Sequence, residues 1–358
     1  MIALGSLAPG THMVTLAEKV EFLSCPGSFP HATTNVEVRE THMSWVFLAD
    51  DRVYKLKKPV KYPFLDFSTL DRRRYYCEEE LRLNRRLASE AYLAVIPLRV
   101  DRTGRLAVHG HGRTIDLLVE MNRLRHADML DVRLREGRVS EAEVRRVGEL
   151  MARFYAGCTP EITNGGLYLK HLTEEQAINR AILQRPELGV RDAARPVFDA
   201  ADRALESIVS KIKRRIADGR IVEGHGDLRP EHVHLGKPLQ IIDCLEFNRP
   251  MRILDPYDEI NYLGLECVAA GQPWIRACLL DTLTARLGGR PDGDLLAFYG
   301  GFRMLLTARL CMAHLLEMPV RQPEKWKPLA LSYIALAKHE LSFPCRPDPK
   351  STRSYEDV

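Results

Sequence analysis

Apolar and polar positions alternate with a period of two over "VEVRE", "WVFLAD" and "RVYKLKK", which are joined by short polar connections. That spacing predicts three strands whose successive side chains point to opposite faces. Val14 to Leu23, just before them, has the pattern of a short amphipathic helix. "STLDRRRYYCEEELRLNRRLA" then changes to a helical period and opens on Ser68, Thr69, Leu70 and Asp71, a capping-box pattern. "YLAVIPLRV" and "TIDLLVEM" return to strand patterning. Three strands, one helix and two strands predict a small five-stranded α+β lobe over 34–121, after an N-terminal helix and lead-in over 1–33.

From Asn122 onward the periodicity is mainly helical, clearest in "EAEVRRVGELMARFYAGC" and "PVFDAADRALESIVSKIKRRIADG". The short apolar runs in "IVEGHGDLRPEHVHL" and "LQIIDCLEFN" interrupt it and predict a hairpin set into a helical lobe over 122–345. The remaining 346–358 is Pro-rich and polar, a loose tail by composition. Two lobes are therefore expected, which suits a chain of 358 residues.

Composition narrows the classes further. With 45% hydrophobic and 28% charged residues the chain is ordinary for a folded globular protein. A formal charge of +4, from 52 basic and 48 acidic side chains, argues against a dedicated nucleic-acid binder. The eight cysteines form no C-x-x-C pair, so they predict reduced thiols rather than a zinc ribbon or disulfide framework. The N-terminus lacks a secretory pattern and no run of about 18 uncharged apolar residues occurs, so a cytoplasmic protein away from the membrane is expected.

The chemistry concentrates in "HGDLRPEHVH", His225 to His234. A phosphoryl-transfer site needs a carboxylate to orient the attacking hydroxyl, acidic ligands for a metal, and a lysine on the phosphates steadied by a glutamate. Asp227 stands in a turn, where a catalytic-loop base belongs. Asp243 closes the apolar "QIID" run, where a metal-binding carboxylate would face that loop across a hairpin. Lys55 lies on the third expected strand with Lys57 on the same face. The following helix offers Glu78, Glu79 and Glu80, of which Glu80 is preferred because Leu81, Leu83 and Leu87 mark the packing face.

Taken in this order, the residues resemble the aminoglycoside phosphotransferase family, which has a protein-kinase-like bilobal fold. The resemblance covers most of the chain. It is strongest over "HGDLRPEHVHL", "IIDCLEF" and "ILDPYDEINYL", which parallel the family's H-G-D loop, I-D metal segment and D-P-x-x-D stretch. The stretch from Glu40 to Leu87, "ETHMSWVFLADDRVYKLKKPVKYPFLDFSTL" through "CEEELRLNRRL", looks like an uncharacterised branch sometimes fused to a P-loop domain, although no G-x-x-x-x-G-K-[ST] occurs here. The resemblance implies transfer of the γ-phosphate of ATP to a small-molecule hydroxyl. Asp227 would be the catalytic residue, Asp243 the Mg2+ ligand and Lys55 the phosphate-binding lysine, held by Glu80. The adenine would lie on the backbone of Val119, Glu120 and Met121, and Asp258 would brace the catalytic loop.

Two departures from the family pattern follow. His232 stands where H-x-D-x-x-x-x-N puts a metal-binding asparagine, and an imidazole suits Mn2+ better than Mg2+. No glycine-rich loop is present either, so "ETHMS", with Thr41, His42 and Ser44, would have to cover the phosphates. These departures motivate a rival expectation, a nucleotide-binding pseudokinase or scaffold. A zinc hydrolase using His225, Asp227, His232 and His234 is a third. A chain at +4 offers no net attraction to polycationic drugs, so a metabolite hydroxyl is the expected acceptor and a protein acceptor stays open.

Overall fold

The computed structural model describes residues 14–62, 65–161, 165–316, 320 and 322–342. The tail expected over 346–358 and the start of the lead-in, 1–13, lie outside them. Helix α1 (Leu16–Leu23) opens on a capping box: the Thr15 hydroxyl accepts from the Glu18 amide and the Glu18 carboxylate accepts from the Thr15 amide. Strands β1 (Val36–Glu40), β2 (Ser44–Ala49) and β3 (Arg52–Lys57) follow as an antiparallel meander. After a separate two-stranded pair, β4 (Lys61–Tyr62) and β5 (Leu65–Asp66), come helix α2 (Leu70–Asn84) and strands β6 (Tyr92–Val100), β7 (Leu106–Val108) and β8 (Arg113–Asn122).

These strands make one antiparallel sheet in the order β1-β2-β3-β8-β6-β7. It has six strands, not the five expected. The extra one, β7, is three residues long, too short to display a period of two, and it is held by pairing with Leu98, Arg99 and Val100 of β6. The cap of α2 also differs by one position. Thr69 accepts from the Arg72 amide, while Ser68 bonds the Asp66 carboxylate.

The alternation along β3 decides what the sheet presents on each side. Tyr54 and Leu56 join Phe47, Ile96, Leu98 and Leu118 in an apolar core closed by Leu23 of α1 and by Phe29. Lys55 and Lys57 therefore project from the opposite face. There α2 buries a stripe of Arg73, Cys77, Glu80, Leu83 and Asn84, spaced by three and four residues as one helix face. Residues up to Arg125, joined by Glu246–Asn248, form one compact unit; His126–Leu245 with the chain from Arg249 forms the other.

The second unit is mainly helical: α3 (Leu130–Arg135), α4 (Glu141–Ala156), α5 (Gly165–Leu183), α6 (Arg191–Ala217), α7 (Arg249–Arg252), α8 (Pro256–Ala269), α9 (Pro273–Leu287), α10 (Gly293–Ala313) and α11 (Pro323–Ser342). Two small antiparallel pairs sit among them, β9 (Val222–Glu223) with β12 (Ile253–Leu254) and β10 (Val233–His234) with β11 (Gln240–Ile241). Helix α10 is buried on all sides from Leu295 to Arg309. The 24 residues Gly293–Leu316 are long and apolar enough to cross a membrane, yet 94% of their most apolar stretch is buried within the fold, so core packing accounts for the composition.

A charge sits inside that core helix. Arg303 donates from Nε and Nη2 to the two carboxylate oxygens of Asp258 at 2.9 and 2.7 Å, with both side chains buried. Burial raises the Asp258 pKa, and the paired guanidinium opposes the rise. Removing one partner leaves the other as an uncompensated buried charge, so Arg303→Met is expected to cost about 3–5 kcal/mol in urea unfolding. Arg303→Lys should recover only part, because an ammonium cannot donate in the same planar fork. Equal stability of Arg303→Met and the parent protein would show that the pair contributes nothing.

Candidate active site

The loop between β9 and β10 has little regular pairing, so its buried main-chain groups need other partners. Glu259, in the first turn of α8, supplies two of them. Its carboxylate accepts from the His225 amide at 3.0 Å and the Gly226 amide at 2.6 Å, and from the Tyr155 hydroxyl at 2.7 Å. The start of α8 is fixed in turn by Asp255, which caps the Tyr257 amide and receives Arg215 at 2.6 and 2.8 Å. The loop brace is thus Glu259, not Asp258 as expected, since Asp258 is committed to Arg303. In the family's D-P-x-x-D pattern the fifth position is in fact Glu259, so the spacing itself carried the signal.

Gly226 has φ +91°, and a Cβ there would stand 2.8 Å from Arg252 Cγ and 3.0 Å from Leu245 Cβ. Only glycine fits that bend without displacing a neighbour. The ring of His225 is fully buried: Nε2 lies 2.9 Å from the Ile242 carbonyl oxygen, and Nδ1 accepts from the Asp227 amide at 3.3 Å. A carbonyl can only accept and an amide N–H only donate, so the ring is the neutral Nε2–H tautomer. Burial, assisted by the nearby His232, lowers its pKa to about 4. His225 is therefore a structural bridge between the loop and the segment from Ile242. With both nitrogens occupied it cannot ligate zinc.

That bridge is one of several. The Ile242 amide donates to the His232 carbonyl at 2.9 Å, the Leu245 amide to the His225 carbonyl at 3.0 Å, and β10 pairs with β11 just beyond. Asp243 is consequently pinned beside the loop, with φ +62°, a left-handed conformation uncommon outside glycine. His232 lies between the two aspartates: Nδ1 donates to the Asp227 carbonyl at 2.7 Å, and Nε2 stands 3.7 Å from Asp243 Oδ2. The Asp227 and Asp243 side chains keep 34% and 47% of their surface exposed, so both carboxylates can meet a ligand. Among the described residues no group of three or more His, Cys, Asp or Glu side chains is placed to hold a metal ion.

In the first unit Lys55 Nζ lies 2.9 Å from Glu80 Oε1, and Lys57 Nζ lies 2.6 Å from Oε2 of the same carboxylate. Lys57 is also 2.5 Å from Glu246 Oε1 and sits 4.9 Å from the centre of the Phe67 ring. Burial works against the Lys57 charge, but Glu246 and Glu80 outweigh it and raise its pKa. Lys57 is completely buried and Lys55 keeps 16% of its side chain exposed, so of the two only Lys55 reaches solvent. Glu78 is exposed and Glu79 pairs with Arg82 on the outer surface, which leaves Glu80 as the inward glutamate.

Two expected nucleotide contacts do not fit this geometry. Val119, Glu120 and Met121 lie within β8, paired with β3 on one side and β6 on the other, so their main-chain groups face the ladder. The Glu120 carboxylate accepts from the Tyr54 hydroxyl. The turn at Thr41 is closed on itself: the Ser44 amide donates to the Thr41 hydroxyl, and Ser44 is only 2% exposed. Neither the buried Ser44 side chain nor its amide is therefore on offer to a phosphate.

Sequence reasoning also passed over Glu246 and a polar group near the loop. Glu266 of α8 accepts from the Tyr333 hydroxyl at 2.8 Å through Oε2, while its buried Oε1 has no hydrogen-bond partner. Arg229, two residues after Asp227, pairs with Glu231 but leaves a buried Nε without a partner. Nothing in the local pattern marks Glu266, which sits on a helix buried on most of its faces.

No protein-family model matches the chain. It is 30% identical over 282 residues to uncharacterised proteins of Mycobacterium tuberculosis and Mycobacterium bovis, a match that covers 77% of this chain and 54% of theirs. The chain thus spans about half the length of the curated relatives it matches. In structure it is similar to a choline/ethanolamine kinase family protein from Mesorhizobium loti, with TM-score 0.52, 14% identity and coverage of 91% of this chain and 95% of that one. It is also similar to a spectinomycin phosphotransferase in complex with ADP and spectinomycin, with TM-score 0.50, 10% identity and coverage of 92% and 99%. A choline kinase of Streptococcus pneumoniae gives TM-score 0.50, 10% identity and coverage of 87% and 94%. At these identities the likeness is one of fold. The chain has the kinase-like fold shared by aminoglycoside phosphotransferases and choline and ethanolamine kinases.

Burial raises the Glu266 pKa from 4.5 to about 7, with Arg229 and the Tyr333 hydroxyl opposing the rise. The folded protein therefore holds a proton there that the unfolded chain releases, and Glu266 lowers stability progressively as pH rises from about 4.5 to 7. Glu266→Gln keeps an oxygen for Tyr333 and cannot ionise. It is expected to gain on the order of 3 kcal/mol over the parent at pH 8, with the gain gone near pH 4.5, in thermal unfolding across that range. A pH-independent difference would remove the titration from Glu266.

Proposed function

We propose that the protein is an ATP-dependent phosphotransferase acting on the hydroxyl of a small molecule. The observation that carries it is the alignment of the metal segment, Ile242 to Leu245, against the His225–His232 loop, which presents Asp227, His232 and Asp243 together with both carboxylates accessible. Asp227 would accept the proton of the acceptor hydroxyl as its oxygen bonds to phosphorus and the bond to the ADP leaving group breaks. In the other unit Lys55 would bind nucleotide phosphate, with Glu80 fixing its direction.

The donor set suits a hard divalent cation that completes its shell with phosphate and water, since one carboxylate and one imidazole are gathered here rather than a closed cage. Asp243 would hold the ion and His232 Nε2 would adjoin it. When bound, the ion would neutralise charge on the phosphates. The unpartnered polar atoms of Glu266 and Arg229 near the loop are suited to polar groups on the acceptor. ADP and spectinomycin are bound by one protein of this fold, which supports a nucleotide and a small-molecule acceptor as the pair to test first.

Two sets of measurements test the proposal. Asp227→Asn is nearly isosteric, so it should bind ATP with Mg2+ or Mn2+ within about twofold of the parent while losing transfer or basal ATP hydrolysis by roughly a hundredfold or more. Asp243→Asn should lose metal-dependent nucleotide binding. An active parent whose rate survives Asp227→Asn refutes the assigned base, whereas ATP binding without any turnover in the parent favours a nucleotide-sensing role. Metal preference gives a separate check, because imidazole suits Mn2+ better than Mg2+. Mn2+ should support turnover at least as well as Mg2+, and His232→Asn should shift the preference toward Mg2+; unchanged preference would separate His232 from the metal.

A further inference from the structure

We infer that Lys57 and Glu246 are positioning residues for the nucleotide-binding lysine, dividing the Glu80 carboxylate so that Lys55 is held by one of its oxygens. The inference rests on the phosphotransferase reading and concerns how its lysine is set. The four groups form a chain, Lys55 to Glu80 Oε1 at 2.9 Å, Glu80 Oε2 to Lys57 at 2.6 Å, and Lys57 to Glu246 Oε1 at 2.5 Å. Glu80 and Lys57 are fully enclosed, Glu246 nearly so, and only the Lys55 end of the chain reaches solvent. Two ammonium groups and two carboxylates balance in charge, which permits the burial.

A lone lysine and glutamate would behave differently. An ammonium facing an otherwise unpartnered buried carboxylate is drawn toward both oxygens, and a phosphate must then compete with the whole anion. With Lys57 on Oε2, Glu80 is already half neutralised, so Lys55 keeps its direction while its affinity for a phosphate is preserved. Glu246 makes this possible by giving Lys57 a second anion. It also lies three residues after Asp243 in the chain and groups with the sheet.

The test uses charge balance. Lys57→Met leaves two buried carboxylates against one lysine, Glu246→Gln leaves two lysines against one carboxylate, and the double variant returns to a neutral Lys55–Glu80 pair. Melting temperature and the Kd for ATP with magnesium, by calorimetry, are measured for all of them. Lys57→Met should melt lower by roughly 5–10 °C. The double variant should recover most of that loss yet bind Mg-ATP about tenfold more weakly, because Glu80 is then undivided and holds Lys55 back. Glu246→Asp, which keeps the charge and shortens the reach, should stay folded and bind several-fold more weakly. Parent-like affinity in the double variant or in Glu246→Asp overturns the inference and leaves the phosphotransferase reading standing. Failure of the parent protein itself to bind Mg-ATP overturns both.

Discussion

The geometry of the loop from His225 to His232 depends on one buried carboxylate, that of Glu259, accepting two consecutive main-chain amides at His225 and Gly226. Along a strand consecutive N–H groups point to opposite sides, and here the bend at Gly226, with its positive φ, brings two of them onto one carboxylate. The arrangement orients everything downstream. Once those amides are fixed, the His225 ring is turned toward the Ile242 carbonyl, and the Leu245 amide meets the His225 carbonyl. The main chain on either side of Asp227 and Asp243 is thus held by backbone hydrogen bonds, and both carboxylates keep part of their surface exposed.

Several of the buried charges are treated alike. Asp258 with Arg303, Asp255 with Arg215, and the Lys55, Glu80, Lys57, Glu246 set each balance opposite charges within hydrogen-bonding distance. Such pairs seldom add net stability over apolar packing, because desolvation of two ions consumes most of their attraction. Their value lies in direction, since each fixes an element at a defined angle. The pairs at Asp255 and Asp258 set the first turn of α8, and with it the Glu259 carboxylate. The lysine set fixes α2 against β3.

Much of this was legible in the chain because the signals were periodic. Alternation in "RVYKLKK" put Lys55 and Lys57 on one face, and of the leucines that pointed to Glu80, Leu83 and Leu87 are buried while Leu81 is half-buried. The rest was hidden for identifiable reasons. Strand β7 has no length in which to alternate. Glu246 lies in a segment with no period, and its partner Lys57 is 189 residues away in sequence, so only folding reveals the pair. Val119 to Met121 carry strand-forming side chains whose pairing on both sides depends on β3 and β6. Asp258 drew the loop-bracing role because two acidic residues stand side by side, although counting the D-P-x-x-D spacing from Asp255 ends on Glu259.

His232 shows how a single substitution in a motif is absorbed. An asparagine at that position offers a carbonyl oxygen and an amide within one short side chain. The imidazole divides the two functions between its nitrogens. Nδ1 faces a carbonyl that can only accept, which obliges it to carry the proton, and Nε2 is left with its lone pair on the side of Asp243. The loop therefore keeps a donor to its own backbone and an acceptor beside the second aspartate, two capacities that an asparagine also carries. What changes is the hardness of the acceptor, nitrogen in place of oxygen, so under the proposed function the consequence would fall on the identity of the cation.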